Sequence, residues 1–180
     1  MALAAPACDQ GAASLQAPTL FVSDCYGVDR HATFEPFVLR VRVLSAMRDE
    51  DVVTYRLVGD FGTFDEHDQL SLSVPRYPLI VDQISDGPVT RPVGSGEGQV
   101  GVGLALLERC DLVTAPLVGV AGEVTFEAVG TRNGQRVKGS LWVDLADVRT
   151  GEVVGAGLAG DFDFVVETGM PYTSYTPRER

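Results

Sequence analysis

The chain has 180 residues, 45% of them hydrophobic, and a formal net charge of −11 from 25 acidic and 14 basic residues. Its composition is too apolar for an intrinsically disordered chain, and its length suits one domain with an ordinary core. The acidic balance argues against a nucleic-acid partner, because phosphate binding needs a basic surface, and no run of apolar residues is long enough to predict a transmembrane span.

The first residues differ from the rest of the chain. Residues 1–18 are small or polar and include two prolines, which is typical of a flexible tether or the remnant of a signal segment. Within them, the small residues Ala4 to Ala7 followed by Cys8 resemble the cleavage box of bacterial lipoproteins. The resemblance implies that Cys8 becomes a lipidated first residue and a lipid anchor. The segment before Cys8 is too short for a complete secretory signal, so we expect the chain to begin inside a longer signal peptide.

The number of cysteines helps to predict the cellular compartment. If Cys8 is lipidated, Cys25 and Cys110 remain, and these two can form a disulfide. Disulfides persist in oxidising compartments, so this pairing favours a protein of the cell envelope or the extracellular space. The alternative is a cytoplasmic protein with three reduced cysteines. No cysteine spacing typical of a zinc site occurs.

The folded domain is predicted to be all-β and to span 19–168. Apolar and polar residues alternate in short runs that are interrupted by Gly, Asp and Pro. The predicted strands are 19–25, 36–47, 51–61, 69–75, 79–84, 99–108, 112–120, 123–131, 136–146 and 152–166. We expect a single antiparallel β-sandwich that ends in a three-stranded meander over about 123–166. A β-barrel is the alternative, because many short strands fit both architectures.

Two turns predict the register of this meander. Asn133-Gly134 is a strong hairpin signal, and a two-residue turn there sets Phe126 opposite Leu141. A second turn at Thr150-Gly151 sets Leu141 opposite Gly160. Large residues then meet small ones on the apolar face.

One loop has the composition of a calcium site. Clustered loop carboxylates are the usual ligands of Ca²⁺, and residues 60–68 are rich in them. The candidate ligands are Asp60, Asp65, Glu66 and Asp68. The alternative is an acidic hairpin tip exposed to solvent, with no cofactor.

No pattern of catalytic residues stands out. The chain lacks the Gly-x-Ser-x-Gly elbow, and His31 and His67 lie in polar loop sequence. The sequence therefore favours a non-enzymatic role.

Three aromatic residues are candidates for surface binding. Trp142 is predicted to point outward from its strand, where it contacts a protein or glycan partner or covers neighbouring glycines. Tyr172 and Tyr175 lie in a C-terminal tail, residues 169–180, which contains two prolines.

These observations predict a non-enzymatic β-domain of the cell envelope or extracellular space with a binding or structural-assembly role. The alternative is a small β-barrel that binds a ligand, or is an enzyme, with an apolar or calcium-dependent site.

Overall fold

The computed structural model describes residues 11–23, 25, 30–59, 67–110 and 117–166. Strands make up most of this part of the chain, as the alternating sequence predicts. The strands are β1 Gly11–Ala17, β2 Leu20–Val22, β3 Ala32–Phe34, β4 Phe37–Asp49, β5 Val52–Gly59, β6 Asp68–Pro75, β7 Val89–Pro92, β8 Gly101–Leu106, β9 Leu117–Ala128, β10 Arg136–Asp147 and β11 Val153–Val165. One helix, α1, spans Tyr77–Ile84.

Eight of these strands form a closed antiparallel barrel. Their order is β10-β11-β1-β4-β5-β6-β8-β9, and β9 pairs back with β10 to close the ring. The all-β prediction is therefore confirmed, with the barrel as the observed form. The preferred β-sandwich is wrong, because hydrogen bonding continues around the ring instead of ending at the edges of two separate sheets.

The closure depends on a strand that lies within the predicted tether. β1 pairs with β11 on one side and with β4 on the other. Its residues alternate between exposed side chains and the buried Ala13, Leu15 and Ala17. The expectation of a tether over 1–18 is thus wrong for Gly11–Ala17, whereas residues 1–10 lie outside the described part.

The predicted strand 79–84 is also wrong, since it belongs to α1. Pro78 lies in the first turn of this helix, where a missing backbone N–H has no cost. The helix has only eight residues, too few for a helical repeat to stand out in the sequence. Across the described ranges, no helix is long and apolar enough to cross a membrane.

Side chains fill the barrel interior at the described positions. The largest fully buried ones include Tyr55, Phe126 and Phe162. Inward-facing Gly119 leaves no room for a larger residue, because a Cβ there would lie 2.7–2.9 Å from atoms of Val93, Val102 and Val143. An eight-stranded barrel is just wide enough for its side chains to fill, and this interior fits that expectation.

The predicted register is correct between β10 and β11 as far as Val143, after which a bulge shifts it, and it is shifted between β10 and β9. Leu141 pairs with Gly160 on β11, as predicted. On β9, however, Leu141 pairs with Val124 instead of Phe126, a shift of two residues that keeps the apolar face inward. The shift arises in the connection between β9 and β10. Residues 129–135 do not pair in the ladder between these strands, and a β-bulge follows next to Lys138.

The two ends of the barrel are closed differently. At the end we call the helix end, the backbone N–H of Tyr77 donates to the carbonyl of Asp51, and the Tyr55 hydroxyl donates to the carbonyl of Gly130 at 3.0 Å. At the opposite end, the disulfide end, β2 and β3 form a hairpin. Its Leu20 is fully buried and packs towards Gly155 of β11.

Candidate functional site

The outward side of β9, β10 and β11 carries a half-exposed tryptophan. Trp142 keeps 47% of its surface exposed and lies on the outer side of its strand, as predicted. Its neighbours across the two strand ladders are Glu123 on β9 and Ala159 on β11. We call Trp142 and the outward residues around it the Trp142 face; the others are Ala121, Glu123, Asp144, Ala159 and Asp161.

A bulge in β11 supports the indole. Two residues, Ala156 and Gly157, lie opposite the single residue Asp144. Gly157 has a φ of +66°, which favours glycine, and its N–H donates to Asp144 Oδ1 at 2.8 Å. A Cβ on Gly157 would lie 3.4 Å from Trp142 Nε1. The indole therefore covers this glycine in part and remains 47% exposed.

The acidic residues of the Trp142 face form no ion pair within the described part of the chain. Among the described residues, no Lys or Arg forms an ion pair with Glu123, Asp144 or Asp161. The nearest cations along β10 have other partners. Lys138 forms an ion pair with Glu127, and Arg136 Nε donates to Asp163 at 2.6 Å, which lowers the pKa of that carboxyl.

The disulfide end contains the predicted cysteine pair. Cys25 and Cys110 form a disulfide that joins the segment after β2 to the segment after β8. Both cysteines are buried, at 0% and 1% exposure. This bond fixes the hairpin β2–β3 against the end of the barrel.

An arginine next to the disulfide makes several contacts with neighbouring segments. Arg109 Nε lies 2.9 Å from Asp68 Oδ2, and its Nη2 donates to the carbonyl of Val38 at 2.6 Å. The guanidinium also lies over the ring of Phe37, with 4.8 Å between Cζ and the ring centroid. No sequence signal predicted this role, because Arg109 lies in a turn after a strand and its contacts are distant in sequence.

Asp68 is placed differently from the calcium prediction. Its side chain is 2% exposed and also accepts hydrogen bonds from the backbone N–H groups of Glu108 and Arg109. Burial raises the pKa of Asp68, and the contacts with Arg109 act in the opposite direction. Calcium binding here would require Asp68 to leave Arg109. The other candidate ligands, Asp60, Asp65 and Glu66, lie outside the described residues, so the calcium site stays a prediction.

A second buried carboxylate at the same end is also paired. Asp147 is 4% exposed and accepts hydrogen bonds from Arg149 Nη2 at 2.8 Å and from the Ser23 hydroxyl at 2.9 Å. The hydrogen bonds from Arg149 hold the pKa of Asp147 well below its usual range. Both buried acids at the disulfide end are thus matched with an arginine.

A polar groove of about 320 Å³ opens beside the Asp68–Arg109 pair. It is lined by Val38, Leu39, Arg40, Gly59, Asp68, Glu108 and Arg109. Asp68 and Arg109 are bound to each other, so the groove does not present them as a free acid and base.

Cys8, Tyr172 and Tyr175 lie outside the described part of the chain. In the ranges that are described, no group of three or more His, Cys, Asp or Glu side chains is arranged to hold a metal ion.

No family model, curated protein or solved structure matches this chain. The function must therefore be inferred from the site itself.

Proposed function

We propose that this chain is a non-enzymatic binding or assembly domain of the cell envelope or extracellular space, and that it contacts its partner through the Trp142 face. The observation that carries the proposal is the half-exposed Trp142 on the outside of a barrel whose described interior is filled. Tryptophan is enriched among the residues that dominate binding energy at interfaces. A ligand-binding barrel with an apolar interior site would need space that inward residues such as Phe126 and Phe162 occupy.

The Cys25–Cys110 disulfide supports the compartment, because such bonds persist where the environment is oxidising. A lipid at Cys8 would anchor the domain at a membrane surface. In this arrangement the barrel faces the environment, and its outer strands meet the partner.

Retention of the purified full chain on intact cells of the source organism tests the proposal. We expect the wild-type chain to remain bound after washing, whereas Trp142→Ser lowers retention at least about thirtyfold, because loss of an aromatic hot spot costs about 2 kcal/mol or more. Leu79→Ser is the matched control, since Leu79 is 52% exposed but lies on α1. Equal retention of wild type and Trp142→Ser would show that the Trp142 face is not the contact.

A further inference from the structure

The charges of the Trp142 face indicate what kind of partner it meets. Glu123 lies directly opposite Trp142, and Asp144 is the next outward residue on β10. Asp161 faces Ser140, two positions from Trp142 on the same side of the sheet. Glu123, Asp144 and Asp161 are thus the acidic neighbours of Trp142 in the strand ladders, and no described basic side chain forms an ion pair with them.

This arrangement contrasts with the other acids described above. Asp68, Asp147, Asp163 and Glu127 each pair with an arginine or lysine. Glu123 and Asp161 are exposed, so their charges stay hydrated and remain open to a cationic partner. The acids around Trp142 are therefore available to pair with a cation of a partner.

The indole favours the same class of partner. A guanidinium or ammonium group gains cation–π stabilisation over tryptophan more than over any other ring. Small neighbours such as Ala159 and Gly157 leave the indole half exposed, so that a long side chain can lie beside it. The carboxylates would then pair with the charged end of that side chain.

We propose that the Trp142 face binds a cationic segment of a partner protein, with an arginine or lysine side chain on Trp142 and its charge between Glu123 and Asp161. This inference rests on the proposed function and specifies its partner. A neutral saccharide, which also stacks on tryptophan, is the competing class and is an outcome of the test.

The chain allows a direct measurement, because Trp142 is its only tryptophan. The probe is a tetra-arginine peptide with blocked ends, titrated into the full wild-type chain while the indole fluorescence is recorded. We expect a saturable change at low salt that weakens strongly at an ionic strength of about 0.3 M, where charges are screened beyond a few ångströms.

Two double variants separate a local site from general attraction to an acidic protein. Glu123→Gln with Asp161→Asn should weaken the peptide about tenfold through loss of the charges next to the indole. Asp82→Asn with Asp86→Asn removes the same net charge at exposed positions at the end of α1 and the following turn, and should leave the affinity unchanged.

Three results would overturn the inference. The first is no change in wild-type fluorescence, and the second is equal weakening by both double variants. The third is a salt-independent response to an uncharged tetrasaccharide that the peptide does not reproduce. If Trp142→Ser abolishes retention on cells but the arginine peptide does not bind, the Trp142 face is still the contact surface. Only the inference that its partner is cationic is then wrong.

Discussion

The disulfide end and the Trp142 face use acidic residues in opposite ways. At the disulfide end, Asp68 and Asp147 are buried, and each meets an arginine within 2.9 Å. On the Trp142 face, Glu123 and Asp161 are exposed and have no described basic partner.

The difference separates charges that hold the fold from charges that are open to a partner. A buried carboxylate must be compensated within the chain, since an unpaired charge in the interior is costly. An exposed carboxylate keeps its hydration and contributes little to stability. Substitutions at the disulfide end should therefore lower the free energy of unfolding, whereas those on the Trp142 face should affect binding alone.

The largest effect is expected from the disulfide. The bond joins residues separated by 85 positions, and a cross-link of that span stabilises a fold by about 4.5 kcal/mol in the chain-entropy model. Cys25→Ser with Cys110→Ser should lower the free energy of unfolding in urea by about that amount.

Cys8→Ser is the matched control, because it removes a cysteine but leaves the pair intact. The disulfide would not be a main support of this end if the double variant and the control unfolded at the same urea concentration.

A smaller loss is expected for Arg109→Met. It leaves Asp68 buried without its cation, and since Arg109 is itself 31% exposed, we expect a loss of about 2–3 kcal/mol at neutral pH. Burial already raises the pKa of Asp68, and removal of Arg109 raises it further. A carboxyl with a raised folded-state pKa destabilises the fold as pH increases through that pKa, so the deficit should shrink on acidification, when Asp68 is protonated.

Urea unfolding of this variant and wild type from neutral pH down to about pH 4.5 measures the trend, because the unfolded carboxyl titrates just below that range. Arg76→Met, which removes the exposed ion pair with Glu97, serves as the control and should change stability by no more than about 0.5 kcal/mol. A loss of stability in Arg109→Met that grows on acidification would contradict the role of Arg109 as the cation that compensates buried Asp68.

The sequence predicted local pairing better than it predicted closure of the barrel. The register between β10 and β11 followed from matching Leu141 with Gly160, because a slip would have turned apolar residues outward. The barrel itself depends on β1, whose small residues Ala13 and Ala17 carry a weak strand signal. They are small because their partners are large: Ala13 pairs with Phe162 on β11. These two residues are far apart in the sequence, so no local sequence pattern indicates that they pair.

In the candidate site, too, only features with a local sequence pattern could be predicted. Alternation along β10 was enough to predict that Trp142 points outward. The role of Arg109 could not be predicted, because its partners Asp68 and Val38 are 41 and 71 residues away in sequence. Asp68 looked like a loop ligand for the same reason, since only the folded barrel brings the arginine to it.

The smallest effect is expected on the Trp142 face. Glu123→Gln with Asp161→Asn removes two exposed charges that no described residue neutralises, so the free energy of unfolding should stay within about 0.5 kcal/mol of wild type. Urea unfolding at neutral pH, in parallel with Arg109→Met, measures both regions on one scale. A loss above about 1 kcal/mol would show that these carboxylates support the fold as Asp68 does, and the face could then no longer be regarded as open to a partner. Unchanged stability together with weaker peptide binding would instead show that these two acids act in binding and do not stabilise the fold.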